Sequence, residues 1–315
     1  MSSSASSATP DVVSAEWLAK HKNSVVILDV SYQMKPKTDP AEFKEKYYGR
    51  FEEIMAEKPN NAYVSEHIPG AVHYNLDAAY YPSEYIRFDL YPPKEFEKYI
   101  RLLGVDAGDH VVLYGRESMA GMLWPARAWW TFKVYGHENV SVLDGGLDAW
   151  KKAGQAVTSD VTKVKRGNWS AKPLDTSLMI TFEELDKKNA DGLSLFDDLS
   201  KINYLDARTA PQFTGAEALA VPAPGATGSH LKGAKSVPLA LVVSQHGLKS
   251  AEEIMQALKK AKFDDSLPTV TACNTAIQAS LLALALSRAG VRAKVFNGSM
   301  AEIGLRAPQL ISERG

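Results

Sequence analysis

The same succession of signals runs twice along this chain, and that repetition limits the possible folds more than any other feature. The first pass reads "VVILDV" (25–30), "HIPGAVHYNLD" (67–77), "HVVLYG" (110–115) and "VSVLDGGLDAW" (140–150). The second reads "NYLDAR" (203–208), "HLKGAKSVPLA" (230–240), "TVTAC" (269–273) and "AKVFNGSMAEIG" (293–304). Asp29 and Asp206 stand 177 residues apart, His67 and His230 163, Gly115 and Cys273 158, and Gly145 and Gly298 153. A slowly drifting offset is what a duplication leaves once loops have gained and lost residues. The period is domain-sized, so the chain holds two copies of one domain rather than a solenoid of short repeats. Its 315 residues are comfortable for two domains.

Each copy alternates short apolar, β-branched runs with helical patterns. "HVVLYG" reads as a buried strand, "AGMLWPARAWWTFKVYG" as a helix ending at Gly136, and "VSVLDGG" as the next strand. Strand–helix alternation predicts an α/β fold in two tandem domains, each a central parallel sheet flanked by helices on both faces. The boundaries follow: a disordered tail over 1–10, a first domain over 11–160, a linker over 161–178 and a second domain over 179–315. The linker sequence "TKVKRGNWSAKPLDTS" (162–177) is basic, polar and punctuated by Gly and Pro, so an exposed connector is expected. The opening "MSSSASSATP" has neither an apolar core nor a basic start, and no secretory signal is expected from it.

Cys273 is the only cysteine, which excludes an internal disulfide and a cysteine-based zinc cluster and suits a reducing compartment. A cytoplasmic location is expected ahead of a mitochondrial one. The formal net charge of -1 offers no electrostatic reason for a nucleic-acid or membrane partner. No P-loop, dinucleotide fingerprint or metal-ligand spacing occurs, so no cofactor and no metal are implied.

A lone cysteine is most often a small buried hydrophobe. The surroundings of Cys273 argue otherwise. "TVTA" ahead of it reads as a strand; "AIQASLLALALSRAG" (276–290) behind it reads as a helix with Gly290 as C-cap. The cysteine therefore stands at the carboxyl end of a parallel strand, where ligands bind in open α/β sheets. Free N–H groups at the following helix start stabilise an anion there, which favours a thiolate nucleophile. The sister position holds Gly115, so one copy keeps the reactive group and the other serves as support and pocket wall. A cysteine phosphatase loop would need an arginine six residues after the cysteine; Ala279 occupies that place.

Taken together, "HIPGA", "VVLYG", "WWTFKVYGH", "VLDGGLDAW", "LDAR", the F-T-G at 213–215, the G-S-H-L-K-G-A at 228–234 and the A-C-x5-A at 272–279 resemble the two-domain rhodanese family of thiosulfate and 3-mercaptopyruvate sulfurtransferases. The resemblance covers nearly the whole chain after the tail. It implies that Cys273 takes sulfur from a small anionic donor, becomes a persulfide and passes the sulfur to a thiol or cyanide, with thioredoxin one candidate acceptor. It implies an anion-cradling loop of Asn274, Thr275, Ala276, Ile277, Gln278 and Ala279. Arg208 of "LDAR" takes the place of the substrate arginine, Thr275 that of a hydroxyl which polarises the donor, and His67 that of a proton relay assisting Thr275. The plain alternative for His67 is a turn histidine satisfied by backbone; for Arg208 it is a surface ion pair. Against the pattern C-G-S-G-V-T-A of the mercaptopyruvate branch, Asn274 and Ala276 replace glycines and Gln278 a threonine. A glycine at the Ala276 place usually supplies positive φ or close approach, both of which alanine resists. Gln212 replaces a second arginine. The basic C-R-K-G loop of the thiosulfate branch is absent, which favours 3-mercaptopyruvate as donor. A rhodanese-like binding or scaffold protein is the alternative that these departures motivate.

Overall fold

The computed structural model describes residues 9–314. The first copy contributes β1 (Val12–Val13), β2 (Val26–Asp29), β3 (Val72–His73), β4 (Val111–Tyr114) and β5 (Val140–Leu143). The second contributes β6 (Met179–Ile180), β7 (Asn203–Asp206), β8 (His230–Leu231), β9 (Lys235–Ser236), β10 (Val243–Ser244), β11 (Gly247–Leu248), β12 (Thr269–Ala272), β13 (Lys294–Phe296) and β14 (Ile311–Glu313). Two five-stranded sheets result, ordered β1-β5-β4-β2-β3 and β6-β13-β12-β7-β9. Every pairing within them is parallel. The orders are the same once β1, β5, β4, β2 and β3 are matched to β6, β13, β12, β7 and β9, so the duplication is visible in topology. The β8–β14 and β10–β11 pairs are small antiparallel additions to the second copy.

Strands β4, β7 and β12 are buried along their whole length. That is why they read as continuous apolar or β-branched runs. Helices cover both faces. The longest two, Leu123–Val134 and Ile277–Arg288, are apolar nearly all round and pack against each other between the sheets. Both end in the same device. Gly136 and Gly290 take φ of 79° and 77°. In each, two N–H groups fold back on the last turn: Gly136 N–H to Lys133 O and His137 N–H to Phe132 O, Gly290 N–H to Ser287 O and Val291 N–H to Leu286 O. This is a Schellman cap, and only glycine takes the left-handed position without strain.

Two stretches expected to be loose are held. The expected tail lies mostly outside the described residues, but Thr9 Oγ1 bonds Asn139 Oδ1 and the Pro10 carbonyl accepts from Ser141 Oγ, securing the approach to edge strand β1. The connector is not simply solvated either. Trp169 within it is 1% exposed, packs edge-on to Phe96 and Phe132, and donates Nε1–H to His137 Nδ1 at 3.0 Å. Gly167 donates to Arg101 O at 2.8 Å, and a side chain there would collide with the Val105 backbone. Composition described the connector's charges, but one tryptophan is large enough to anchor it against the first sheet's helices.

Candidate active site

Cys273 follows directly on β12, beside the Asp206 end of β7, since Ala272 and Asp206 are register partners. Asn274, Thr275 and Ala276 then lead into the helix Ile277–Arg288. The thiol is 1% exposed. On balance the thiol lies above its ordinary pKa: burial, the largest cause, pushes it up, the backbone N–H groups of Ala279 and Thr275 pull it down, the Asp206 carboxylate pushes it up, and the Gln278 N–H pulls it down. The loop amides offset part of the cost of burial but do not overcome it, so the thiolate expected from a strand end ahead of a helix is opposed here by the depth at which the sulfur sits. Asn274, Thr275 and Gln278 are only half-buried and mark the accessible side of the loop; Ala276, Ile277 and Ala279 are buried.

The loop keeps this shape with an alanine in the left-handed region. Ala276 has φ 63° and ψ 2°. A left-handed non-glycine residue costs about 1–2 kcal/mol, so the cradle holds local strain that the surrounding packing sustains.

Ser299, which the sequence did not single out, holds the cysteine from behind. Its Oγ accepts the Cys273 N–H at 3.2 Å and donates to Phe296 O at 2.8 Å. The next two amides of the helix Ser299–Arg306 cap the loop: Met300 N–H donates to Cys273 O and Ala301 N–H to Asn274 O, both at 3.0 Å. Ser299 stands at φ 50°, and its repeat partner is Gly146, at φ 57°. The available signal was "NGS" aligned with "DGG": a serine accepted at a position suited to glycine.

Arg208 is neither at the surface nor free. It is fully buried. Its Nε contacts both Asp206 carboxylate oxygens at 3.0 Å, and Nη2 donates to Asp206 Oδ2 at 2.7 Å and Ser229 O at 2.9 Å. Among the described residues only its Nη1 carries no protein hydrogen bond. Thr275 Oγ1 likewise has no hydrogen bond to a described residue. Asn274 Oδ1 and Gln212 Oε1 are buried acceptors without a partner among the described residues. His67 is not brought to Thr275 as a relay. Its ring is fully buried, stacked on Tyr63, with Nδ1 at 2.7 Å from Tyr63 O and Nε2 at 3.1 Å from Asp160 O. Both ring nitrogens lie against backbone carbonyls, and the backbone of 67 forms an isolated bridge with Thr158, so the turn-histidine alternative describes it.

A repeated α/β unit with a single cysteine in an amide cradle at the sheet's carboxyl edge defines a class of sulfur-handling proteins, and comparison with known proteins agrees. The rhodanese-like domain family matches residues 14–153 and 183–305. The chain belongs to that family, and it is a sulfurtransferase. A Caenorhabditis elegans protein named as a thiosulfate sulfurtransferase is 39% identical over 314 residues, covering 96% of each chain. The 3-mercaptopyruvate sulfurtransferase of Mus musculus is 30% identical, covering 96% of this chain and 95% of that one. The crystal structure of SseA from Escherichia coli, a 3-mercaptopyruvate sulfotransferase, shares the fold with TM-score 0.72 at 23% identity, over 92% of this chain and 99% of the other. Among the described residues no helix is long and apolar enough to cross a membrane, and no three His, Cys, Asp or Glu side chains are grouped to hold a metal ion.

Proposed function

We propose that Cys273 carries sulfur as a persulfide between a small anionic donor and a thiol or cyanide acceptor, with 3-mercaptopyruvate preferred to thiosulfate. The observation that carries this reading is the place of Cys273, directly after β12 and just ahead of the helix Ile277–Arg288, in a chain whose relatives are sulfurtransferases. In the first half-reaction the Cys273 thiolate attacks the donor's thiol sulfur. The S–S bond forms as the donor's C–S bond breaks, and the departing carbon keeps the electron pair as the enolate of pyruvate. That enolate takes the thiol proton, which leaves pyruvate and an anionic persulfide on Cys273. In the second, an acceptor thiolate attacks the outer sulfur, and Cys273 leaves as thiolate. The amides hold negative charge in both steps without reorganising.

The unbonded Thr275 hydroxyl is suited to donating to the donor's keto oxygen, where the enolate charge develops. Nη1 of Arg208 is the one part of that guanidinium available to a donor carboxylate. Preference for 3-mercaptopyruvate is supported by the lack of basic residues in 274–279, which leaves the doubly charged thiosulfate without a cationic loop. A free thiol with no second cysteine suits a reducing compartment such as the cytoplasm.

A single-turnover experiment tests this. The protein is incubated with 3-mercaptopyruvate or with thiosulfate and its intact mass is read. One added sulfur on Cys273 is expected, faster with 3-mercaptopyruvate. No added mass with either donor, while the thiol still alkylates, would overturn the reading for both and leave a binding or scaffold role.

A further inference from the structure

The connector between the two copies is seated on a side chain that can hold it in only one protonation state. Trp169 and His137 are both buried, and the indole Nε1–H donates to His137 Nδ1 at 3.0 Å. An indole nitrogen can only donate, so Nδ1 has to present its lone pair. That fixes His137 as the neutral tautomer with its proton on Nε2. The Nε2 atom is itself buried and has no hydrogen-bond partner among the described residues. A protonated imidazole carries hydrogen on both nitrogens. Its Nδ1–H would confront the indole N–H across the same 3.0 Å. Turning the ring over would put a carbon in that place, which accepts nothing either.

The seat is otherwise closely made, so neither ring can step aside. The Trp169 N–H donates to Val105 O at 3.1 Å, and its carbonyl accepts from Arg101 Nε at 2.7 Å. The indole meets Phe96 and Phe132 edge-on, and Phe132 also packs against the His137 ring with centroids 5.5 Å apart. On either side, Gly167 N–H donates to Arg101 O at 2.8 Å and Lys172 N–H to Tyr135 O at 2.9 Å. The His137 N–H is spent on Phe132 O in the Schellman cap, which fixes where its ring begins.

The charged groups around this seat come from every element packed on it. Asp109 and His110 stand ahead of β4 and act on the ring directly. On the stretch that carries His137, Lys133 and Glu138 pair at 3.0 Å. The helix Pro93–Leu102 brings Glu97 and Arg101, which pair at 2.9 Å. The connector brings Lys172, whose side chain lies over Gly136. Burial, the largest cause, holds His137 below the ordinary imidazole pKa; the Asn139 and Asp109 backbones and the Asp109 carboxylate pull it up, and His110 pushes it down.

We infer that His137 is a pH-sensitive latch for the connector: the neutral ring holds Trp169 in its seat, and the protonated ring has to release it. Opening the seat lets the ring take up a proton that the closed seat refuses. The hold is therefore complete above about pH 6.5, the ordinary imidazole value, and weakens as pH falls below it. The latch acts on the segment that joins the two copies, and it is independent of which sulfur donor the protein uses.

Hydrogen exchange read by mass spectrometry on the full chain tests this, with protection corrected for the intrinsic pH dependence of exchange. In the unaltered protein, protection of the peptide spanning 167–172 should fall by about five- to tenfold between pH 7.5 and pH 5.5, since one proton taken up on opening shifts that equilibrium by up to about tenfold per pH unit. Peptides from β4 and β12 should change by less than about twofold over the same range. His137→Gln, whose amide oxygen can accept the indole N–H but does not titrate, should reduce the connector's fall to less than about twofold. Trp169→Phe keeps an aromatic ring and removes only the N–H, so His137 can charge in place; the fall should shrink to less than about half that of the unaltered protein. A His137→Gln protein whose connector still loses protection as the unaltered one does would overturn the latch. So would an equal loss in the β4 and β12 peptides, which would make the effect global unfolding. If His137→Gln does not fold, Trp169→Phe decides: an undiminished fall there overturns the inference, and a diminished one upholds it.

Discussion

The loops after β4 and after β12 occupy the same place in the two copies, yet they take different shapes. After β12, Cys273 reaches the helix at Ile277 in four residues, with one strained residue, Ala276. After β4, Gly115 is eight residues from the helix at Leu123, and Glu117, Met119 and Ala120 all take positive φ. A side chain at Gly115 has no room: its Cβ would sit 2.9 Å from Gly121 O and 3.1 Å from the Pro125 ring. The deeper difference is where each copy finds a cation for its buried strand-end acid. Asp29 is served from the loop itself by Arg116, which donates to Asp29 Oδ2 at 2.6 Å, Ser31 Oγ at 2.7 Å, and the Ala62 and Glu66 carbonyls at 3.0 Å. Asp206 is served by Arg208, two residues on, at the place where the first copy has Ser31. A loop that must neutralise a buried carboxylate is fastened down by that task. With the arginine at the strand end, the loop after β12 is free of that task.

The strongest way to break this comparison is to move the cysteine. Cys273→Ser is expected to lower sulfur transfer by at least about a thousandfold. Adding Gly115→Cys to that variant is expected to restore nothing, with intact mass showing no sulfur uptake; uptake at position 115 would mean that the two loops are interchangeable. Next in size is the arginine exchange. Arg208→Met leaves Asp206 buried and unpaired, and should cost about 3–5 kcal/mol in denaturant unfolding. Arg116→Met should cost less, since its side chain is 12% exposed where that of Arg208 is 1%. Equal losses would argue against different roles for the two arginines. Ser299→Ala removes the acceptor for the Cys273 N–H and should cost about 1–3 kcal/mol, with lowered turnover in steady-state kinetics. Ala276→Gly should change stability by less than about 1 kcal/mol, because relief of left-handed strain is opposed by loss of a buried methyl worth about 0.8 kcal/mol. A larger gain would show more strain in the cradle than one residue explains.

Much of this was legible beforehand. The strands in "VVILDV", "HVVLYG", "NYLDAR" and "TVTAC" lie where their apolar runs placed them, because buried parallel strands need such runs. Gly136 and Gly290 ended their helices because few other residues take the Schellman position. Cys273 could be placed at a sheet edge before a helix from local pattern alone. The fate of His67 could not be read, because it depends on the distant Asp160 carbonyl; for Arg208 the ion-pair partner Asp206 is only two residues away, but its complete burial depends on the distant segment at Ser229. Trp169 was hidden in a basic stretch whose average polarity outweighed one anchoring ring.

The sequence by itself determined the duplication, the two parallel sheets and the single thiol at a strand end, since those follow from periodicity, turn chemistry and one residue count. The tertiary structure alone decided which cations are spent and which are left. Arg116, Arg208, Arg288 and Arg127 are equally charged in the sequence, but three find buried or half-buried carboxylates and Arg127 finds an amide. An electrostatic role depends on what lies within a few ångströms in a medium of low dielectric, and a linear string does not carry that distance.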